Sequence, residues 1–478
     1  MADLKDFGPL LDKALAELDR RASMCAKNKA YTRSSAPVPR AVESAKLVNA
    51  YQALMGMSQA PWAGLVVESV QDRLEVGGFK TGDKAIDARL WKDVWQANGL
   101  DSQAKLAQHS ILRDGRAFAT NWPGADGQPE IVFDGADQMV VLYAEGRHMQ
   151  RYRYAAVRRW VDDNDRKQLT LYLRDGIYKF REAKEQTDDP MRVQASGSWW
   201  EQREEKLPDG HREPWPVENP FGVLPVVELW TNGELQAGAF PYARGEFQFC
   251  HGLLDRINLL TFLGLVVALW MGFPLRYAIG DKILRDDDNN PLPPFASKPD
   301  EVVQMEDPNA KIGQLQAADR GNLSIFGELS QLAHVTKTPA HLFPHTDGFS
   351  NISADTIRAL EGGQNAKVRG IHKPQIGEDH EEVVRTAGLM LPKPIIVPPT
   401  AEVDWLDHES RSLAERADAA VKLASIEGMP WTVTAELALQ MTQEQIRRAQ
   451  ADGASSVIGR LLAEMPNGNG ATPPVPAA

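Results

Sequence analysis

The stretch Ile257 to Phe273, INLLTFLGLVVALWMGF, is the most apolar run in the chain, and its reading decides what fold the rest can form. A helix that crosses a bilayer wants about 20 apolar residues. This run has 17 and includes Asn258, Thr261, Gly264 and Gly272. It reads as a helix buried between protein neighbours. It is the apolar part of a longer helix from Gly245 to Met271 that stops at Gly272-Phe273-Pro274.

Downstream lies an irregular stretch with Asp286-Asp287-Asp288-Asn289-Asn290; between 281 and 319 nine acidic residues face four basic ones. Leu323, Phe326, Leu329 and Leu332 mark a second helix that ends near Thr338-Pro339. A loop follows, PAHLFPHTDGFSNI from 339 to 352. Ser353 is placed to cap a long helix with Asp355 in its first turn, running to about Leu391. Pro374 lies inside it, and a mid-helix proline costs about 3 kcal/mol, so the helix is predicted to kink or break there. Helices at about Glu409 to Glu427, from Thr434, and behind a capping box at Thr442 and Gln445 complete the chain before a Gly, Pro and Ala tail.

Upstream, three apolar stripes at spacings of three and four predict helices around Leu4 to Leu18, Val42 to Met55 and Ile86 to Trp95. From about residue 115 the period changes. Ala117 to Asn121, Met139 to Ala144, Gln150 to Val161, Leu169 to Arg174, Ile177 to Arg181 and Leu224 to Trp230 read as strands, with Glu182 to Glu213 a polar interruption. Asp175-Gly176 between two of them is a hairpin signal, because a type I′ turn needs positive φ.

The 478 residues carry a net charge of −12 and two cysteines, Cys25 and Cys250. An acidic balance argues against gripping nucleic acid with the whole surface. Two cysteines make no disulfide framework, and the acidic N-terminus lacks the basic-then-apolar pattern of a secretory signal. Enzyme motifs fail one by one. Gly77 to Gly82 has the glycine spacing of a phosphate loop, but Asp83 stands where Lys is needed, leaving a surface turn. Asp286, Asp288 and Asn290 copy three positions of a calcium loop that Pro291 and Ser297 then spoil. His334, His341, His345, His372 and His380 have no metal-site spacing, and no nucleophile elbow occurs. No metal, cofactor or catalytic residue is expected.

What remains is an order of parts: a helical and β-rich platform, an apolar helix, an acidic insert, a second helix, a loop, a long helix and a helical end. This order resembles the portal proteins of tailed bacteriophages, particularly the long-tailed phages of actinobacteria. The resemblance is carried by Leu106 to Thr120 (LAQHSILRDGRAFAT), Pro225 to Trp230, Thr338 to Phe343 (TPAHLF), Asn351-Ile352-Ser353-Ala354, Gly428-Met429-Pro430 and Met441 to Ile446 (MTQEQI).

The resemblance implies an α+β portal fold, mainly helical with a β-rich wing. Its parts are a wing at 1–244, a stem helix at 245–271, a clip at 272–319 and a second stem helix at 320–337. A tunnel loop follows at 338–352, then a long kinked helix with its connection at 353–399, a crown at 400–465 and a disordered tail at 466–478. It implies a ring of about twelve copies at one capsid vertex, a conduit for packaging and ejection of double-stranded DNA, assembled in the host cytoplasm. Implied partners are the major capsid protein, the terminase large subunit, a head-tail adaptor and possible scaffold, with no membrane. Candidate residues are His341, Phe343, His345 and Asp347 facing DNA, Asp286, Asp287 and Asp288 on the clip rim, and Leu265 and Val266 at the stem interface. Two other readings are another phage head structural protein and an enzyme with an unrecognised site.

Overall fold

Alternation along Met139–Tyr143 (β4) directs Val140 and Leu142 to one face and Met139, Val141 and Tyr143 to the other, and all five are buried. A strand buried on both faces needs a layer on each side, and the computed structural model supplies both. It describes residues 4–36, 52–144, 150–183, 192–205, 210–234, 240, 242–272, 275–279, 309, 311–315, 324–344, 353–406, 413–426, 428–439, 441 and 443–451.

The first layer is the N-terminal helix α1 (Gly8–Thr32), whose Leu11, Ala14, Leu15 and Leu18 pack on Val140, Leu142, Val157, Leu169 and Leu171. The sheet beneath it continues through β5 (Arg153–Val161), β6 (Lys167–Leu173) and β7 (Gly176–Glu182) to β8 (Arg192–Ala195) and β9 (Ser198–Gln202). Its order is β4-β5-β6-β7-β9-β8, all neighbours antiparallel, with a short strand β10 (Val217–Glu218) beside β7. On the other side lies a three-stranded sheet of β11 (Val226–Trp230), β2 (Arg116–Pro123) and β3 (Pro129–Gly135). Phe118, Leu224 and Val226 fill the gap between the sheets.

Helices α2 (Trp62–Gln71), α3 (Lys84–Arg89) and α4 (Leu100–Asp114) build a platform around Val66, Val70, Leu90, Trp95 and Ile111. Between α3 and α4 the third apolar stripe continues as a π turn, Leu90–Gln96. The paired helices are α5 (His251–Gly272) and α6 (Phe326–Thr336), and the hairpin Leu275–Ile279 with Lys311–Leu315 (β12, β13) lies in the insert between them. The long helix is α7 (Ala354–Lys367), a π turn (Val368–His372) and α8 (Lys373–Leu389). Strand β14 (Glu402–Trp405) and helices α9 (Leu413–Ala424), α10 (Trp431–Leu437) and α11 (Gln443–Ala451) follow.

Two expectations are revised and a third is narrowed. Gly77 and Gly78 do not belong to a surface turn: Val76–Lys80 is a strand, β1, paired with β14, and Phe79 is buried in the core. Gly77 sits at a bulge where a Cβ would lie 2.7 Å from Leu406, and Asp83 is an N-cap that accepts from the Ala85 amide. The polar interruption holds the β8–β9 hairpin, turned by Ser196 and Gly197 at φ of 50° and 73°. The proline neither breaks nor sharply ends the long helix. Pro374 cannot donate to the carbonyl of Gly370, and the π turn is where that missing bond is absorbed. Ser353 caps α7 as expected, accepting from the Thr356 amide; Thr442 and most of the second apolar stripe lie outside the described residues.

Candidate functional site: the paired helices and their buried junction

Helix α5 buries its base and exposes its end. Leu254, Ile257, Asn258 and Phe262 are buried, Leu265 and Val266 are half-buried, and Leu269 and Met271 stand exposed. Among the described residues it is one helix long and apolar enough to cross a membrane, yet only 28% of that apolar window is buried within the chain. Its own chain thus buries the base of the helix and covers the rest only in part. Its partner α6 has 11 residues against 22 and covers only the base, where Arg256 pairs with Glu328 and donates to Gln331 at 2.7 Å.

The base is fixed by polar residues. Asn28 donates to the Arg113 carbonyl and to Asp114, and its Oδ1 lies 2.9 Å from His251 Nε2. Tyr31 stacks on His251 with ring centres 4.8 Å apart and donates to Asp255. Burial pushes the His251 imidazole down to about 4, so it is neutral at pH 7. Here the chain crosses itself closely. A Cβ on Gly245 would lie 1.9 Å from the Arg113 carbonyl, and Gly115 at φ +86° faces the Arg244 backbone. Glycine is required at both positions.

Glu246 sits just before α5 and organises the junction with the long helix. Lys367 Nζ donates to its carboxylate and, at 2.6 Å, to the carbonyl of Thr336 at the end of α6. Asn232 Nδ2 donates to the other oxygen at 2.6 Å, and His372 Nε2 lies 3.1 Å from it, off the line of a good hydrogen bond. His372 Nδ1 is 2.7 Å from Thr231 Oγ1. Burial alone would raise the Glu246 carboxyl, but His372 and Lys367 outweigh it and hold it far below the usual carboxylate range. Further along, α8 is tied to the platform by Asp379, which accepts from the Trp230 amide and Gln150, and by Glu382 against Arg153 at 2.7 Å.

His380 is fully buried between the rings of Trp95 and Trp405, and neither ring nitrogen has a partner. Burial drives it down to about 4. Because the unfolded chain takes up a proton near 6.5 and the folded chain does not, stability is complete above that pH and lost as pH falls toward 4. The loss is roughly 3 kcal/mol at about 1.4 kcal/mol per unit. In urea titrations at pH 7 and pH 4.5, His380→Leu is expected to lose less stability on acidification than the wild type. Asp379, raised by burial, titrates with the opposite sign, so the difference between the two proteins carries the result. Equal acid losses would contradict the assignment.

The candidate loop residues separate. Phe343 is 4% exposed, packed on Trp62 with ring centres 5.9 Å apart, so the expectation that it lines a channel is corrected: it anchors the loop to the platform. Phe343→Ala is expected to destabilise the fold by about 3 kcal/mol, read as a shift in urea midpoint. A change under about 0.5 kcal/mol would contradict the anchor. His341 remains one-fifth exposed, 3.9 Å from Glu361, which pairs with Arg73. His345, Asp347, Asp286, Asp287 and Asp288 lie outside the described residues. Nothing in the spacing signalled Glu246, Lys367 or Asn28; the available signal was a charged or amide residue at an otherwise apolar helical position.

Residues 58–457 match the family described as phage portal protein, SPP1 Gp6-like. The chain belongs to that family, and so is a structural component of a phage particle and not an enzyme. It is 28% identical over 380 residues to the portal protein of Mycobacterium phage D29, covering 75% of this chain and 71% of that one. The portal protein of Mycobacterium phage L5 is likewise 28% identical, over 382 residues, with the same coverage. A solved structure described as the neck of a native GTA particle computed with C12 symmetry aligns over 86% of this chain and 98% of its own, with a TM-score of 0.39 and 10% identity.

Proposed function

We propose that the chain closes into a ring of about twelve copies at one capsid vertex, through which double-stranded DNA enters and leaves the head. The observation that carries this is α5: an apolar helix whose outer half its own chain covers only in part, with Leu269 and Met271 exposed. Exposed apolar surface of this kind is ordinarily covered by a partner, and a head-to-tail contact between copies closes when its rotation divides a full turn. Leu265 and Val266 lie on that helix, between its buried base and its exposed end.

A second feature supports close packing of copies. Ala359, Gly363, Ala366 and Gly370 recur on one face of the long helix, all exposed, and a Cβ on either glycine would meet nothing within 4 Å. Glycine inside a helix costs about 1 kcal/mol against alanine, a cost that close approach of a neighbouring backbone would offset.

In this reading 245–271 and 320–337 are the stem, 272–319 the clip that docks the terminase large subunit and later the head-tail adaptor, and 400–465 the crown. The wing at 1–244 faces the major capsid protein and any scaffold. The loop at 338–352, held at its base by Phe343, presents its tip to the DNA, with His341, His345 and Asp347 as candidate contacts. A chain of net charge −12 repels phosphate, and at physiological salt that repulsion reaches only roughly 8 Å, enough to prevent sticking without blocking passage. Assembly takes place in the host cytoplasm before the vertex is occupied.

The test is a phage lacking this chain. Its heads are expected to contain no nuclease-protected DNA, and supplying the chain in trans should restore packaging. Full heads without it would contradict the conduit.

A further inference from the structure

Lys367 and His372 both reach Glu246, and they are five residues apart. In an α-helix that spacing turns the second side chain about 140° away from the first, onto a different face. A π turn, closed by hydrogen bonds between residues five apart, brings them to the same side. The segment between them, Val368–His372, is π-helical. One carboxylate thus contacts both ends of a turn that only π geometry presents to it.

The same carboxylate precedes α5, and the same lysine holds the carbonyl of Thr336 at the end of α6. The side chains are almost wholly buried: Lys367 at 9%, Glu246 at 2% and His372 at 0% exposure. We propose that Glu246 is a staple that holds the π turn in its wide form and thereby sets the register between the long helix and both paired helices. Released from it, the turn relaxes toward α geometry. Relaxation by one residue moves the helix beyond it by about 1.5 Å along its axis and turns it by about 100° relative to α7. Interfaces and packed cores respond to such a step as a switch between discrete arrangements, not as a continuous bend. The device therefore couples the angle of the paired helices to the segments that follow α8. Glu246 and Lys367 act here as positioning residues. The inference concerns the single chain and holds whether or not the ring reading does.

Hydrogen exchange read by mass spectrometry on the full chain tests it. In Glu246→Gln, which keeps the shape and removes the charge, the amides of 368–377 and those of 333–338 are expected to exchange at least about tenfold faster together. That is the scale of losing hydrogen bonds to a charged group. Protection of the seven-stranded sheet is expected to stay as in the wild type. Faster exchange in only one of the two segments would overturn the coupling. A uniform loss of protection throughout would reduce the pair to general stability and overturn it too.

Should Glu246→Gln fail to fold, the double variant Glu246→Leu with Lys367→Met replaces the buried pair by apolar side chains of similar volume, a change such sites tolerate. The same coupled increase in exchange is expected there. Wild-type protection of 368–377 in that variant would show that the turn needs no staple.

Discussion

Leu265→Asp is expected to abolish the ring and leave a folded monomer. In the single chain Leu265 is half-buried near the outer end of α5, so a carboxylate there can turn toward water. Between two copies it would be taken out of water without a partner, at a cost of several kcal/mol for each contact. In a closed head-to-tail ring each contact takes in one such residue, so the penalty recurs once at every contact around the assembly. Val266→Asp is expected to act the same way. Sedimentation velocity would show a single slow species, with the far-ultraviolet circular dichroism and urea midpoint of the chain unchanged. Insoluble protein would mark the position as core, and rings of normal stability would contradict both roles.

The largest loss of stability is expected at Glu228. Its side chain is wholly buried in β11, paired with Arg116, and accepts from Tyr143 Oη at 2.9 Å. A second buried guanidinium, Arg21, is pushed down to about 10 by burial and by the charge of Arg116, with Glu228 and Glu17 pulling against that shift. Its two terminal nitrogens have no hydrogen-bond partner. Glu228→Ala removes the anion paired with Arg116 and takes from Arg21 one of its two compensating charges, its pairing with Glu17 remaining. Breaking one side of such a pair costs about 3–5 kcal/mol. At roughly 1 °C per kcal/mol for a chain of 478 residues, the melting temperature is expected to fall by about 3–5 °C. Scanning calorimetry reads this directly, and a fall under about 2 °C would contradict the cluster's role.

The elements that could be read from the sequence are those whose local period agrees with their tertiary place. The β5–β6–β7 meander shows it, because strand propensity and alternation point one way; the β6–β7 hairpin forms, but neither Asp175 nor Gly176 takes the positive φ of a type I′ turn, and Gly176 opens β7. So does α1, whose apolar stripe is the stripe buried on the sheet. Val76–Lys80 failed because two glycines hide a strand whose pairing partner, Glu402–Trp405, lies more than 300 residues away. The β8–β9 hairpin failed because its pattern is short and set among charges. Phe343 was legible as an aromatic in a loop, but its burial depends on Trp62, which only the fold brings near.

The junction was illegible for a different reason. Glu246, Lys367 and His372 come from two segments more than a hundred residues apart, and each alone looks like a solvated residue on a helix. Their meaning is a geometric coincidence that spacing cannot carry. Pro374 did announce a disturbance in the long helix. It gave no sign that the chain would answer with a π turn in place of a break.

The claim that bears most weight is that α5 is covered by further copies of this chain. Native mass spectrometry of the full-length protein, purified without detergent at micromolar concentration, tests it most directly. One dominant species of about twelve subunits is expected, converted to monomer by Leu265→Asp. A wild-type chain that stays monomeric under those conditions would contradict it.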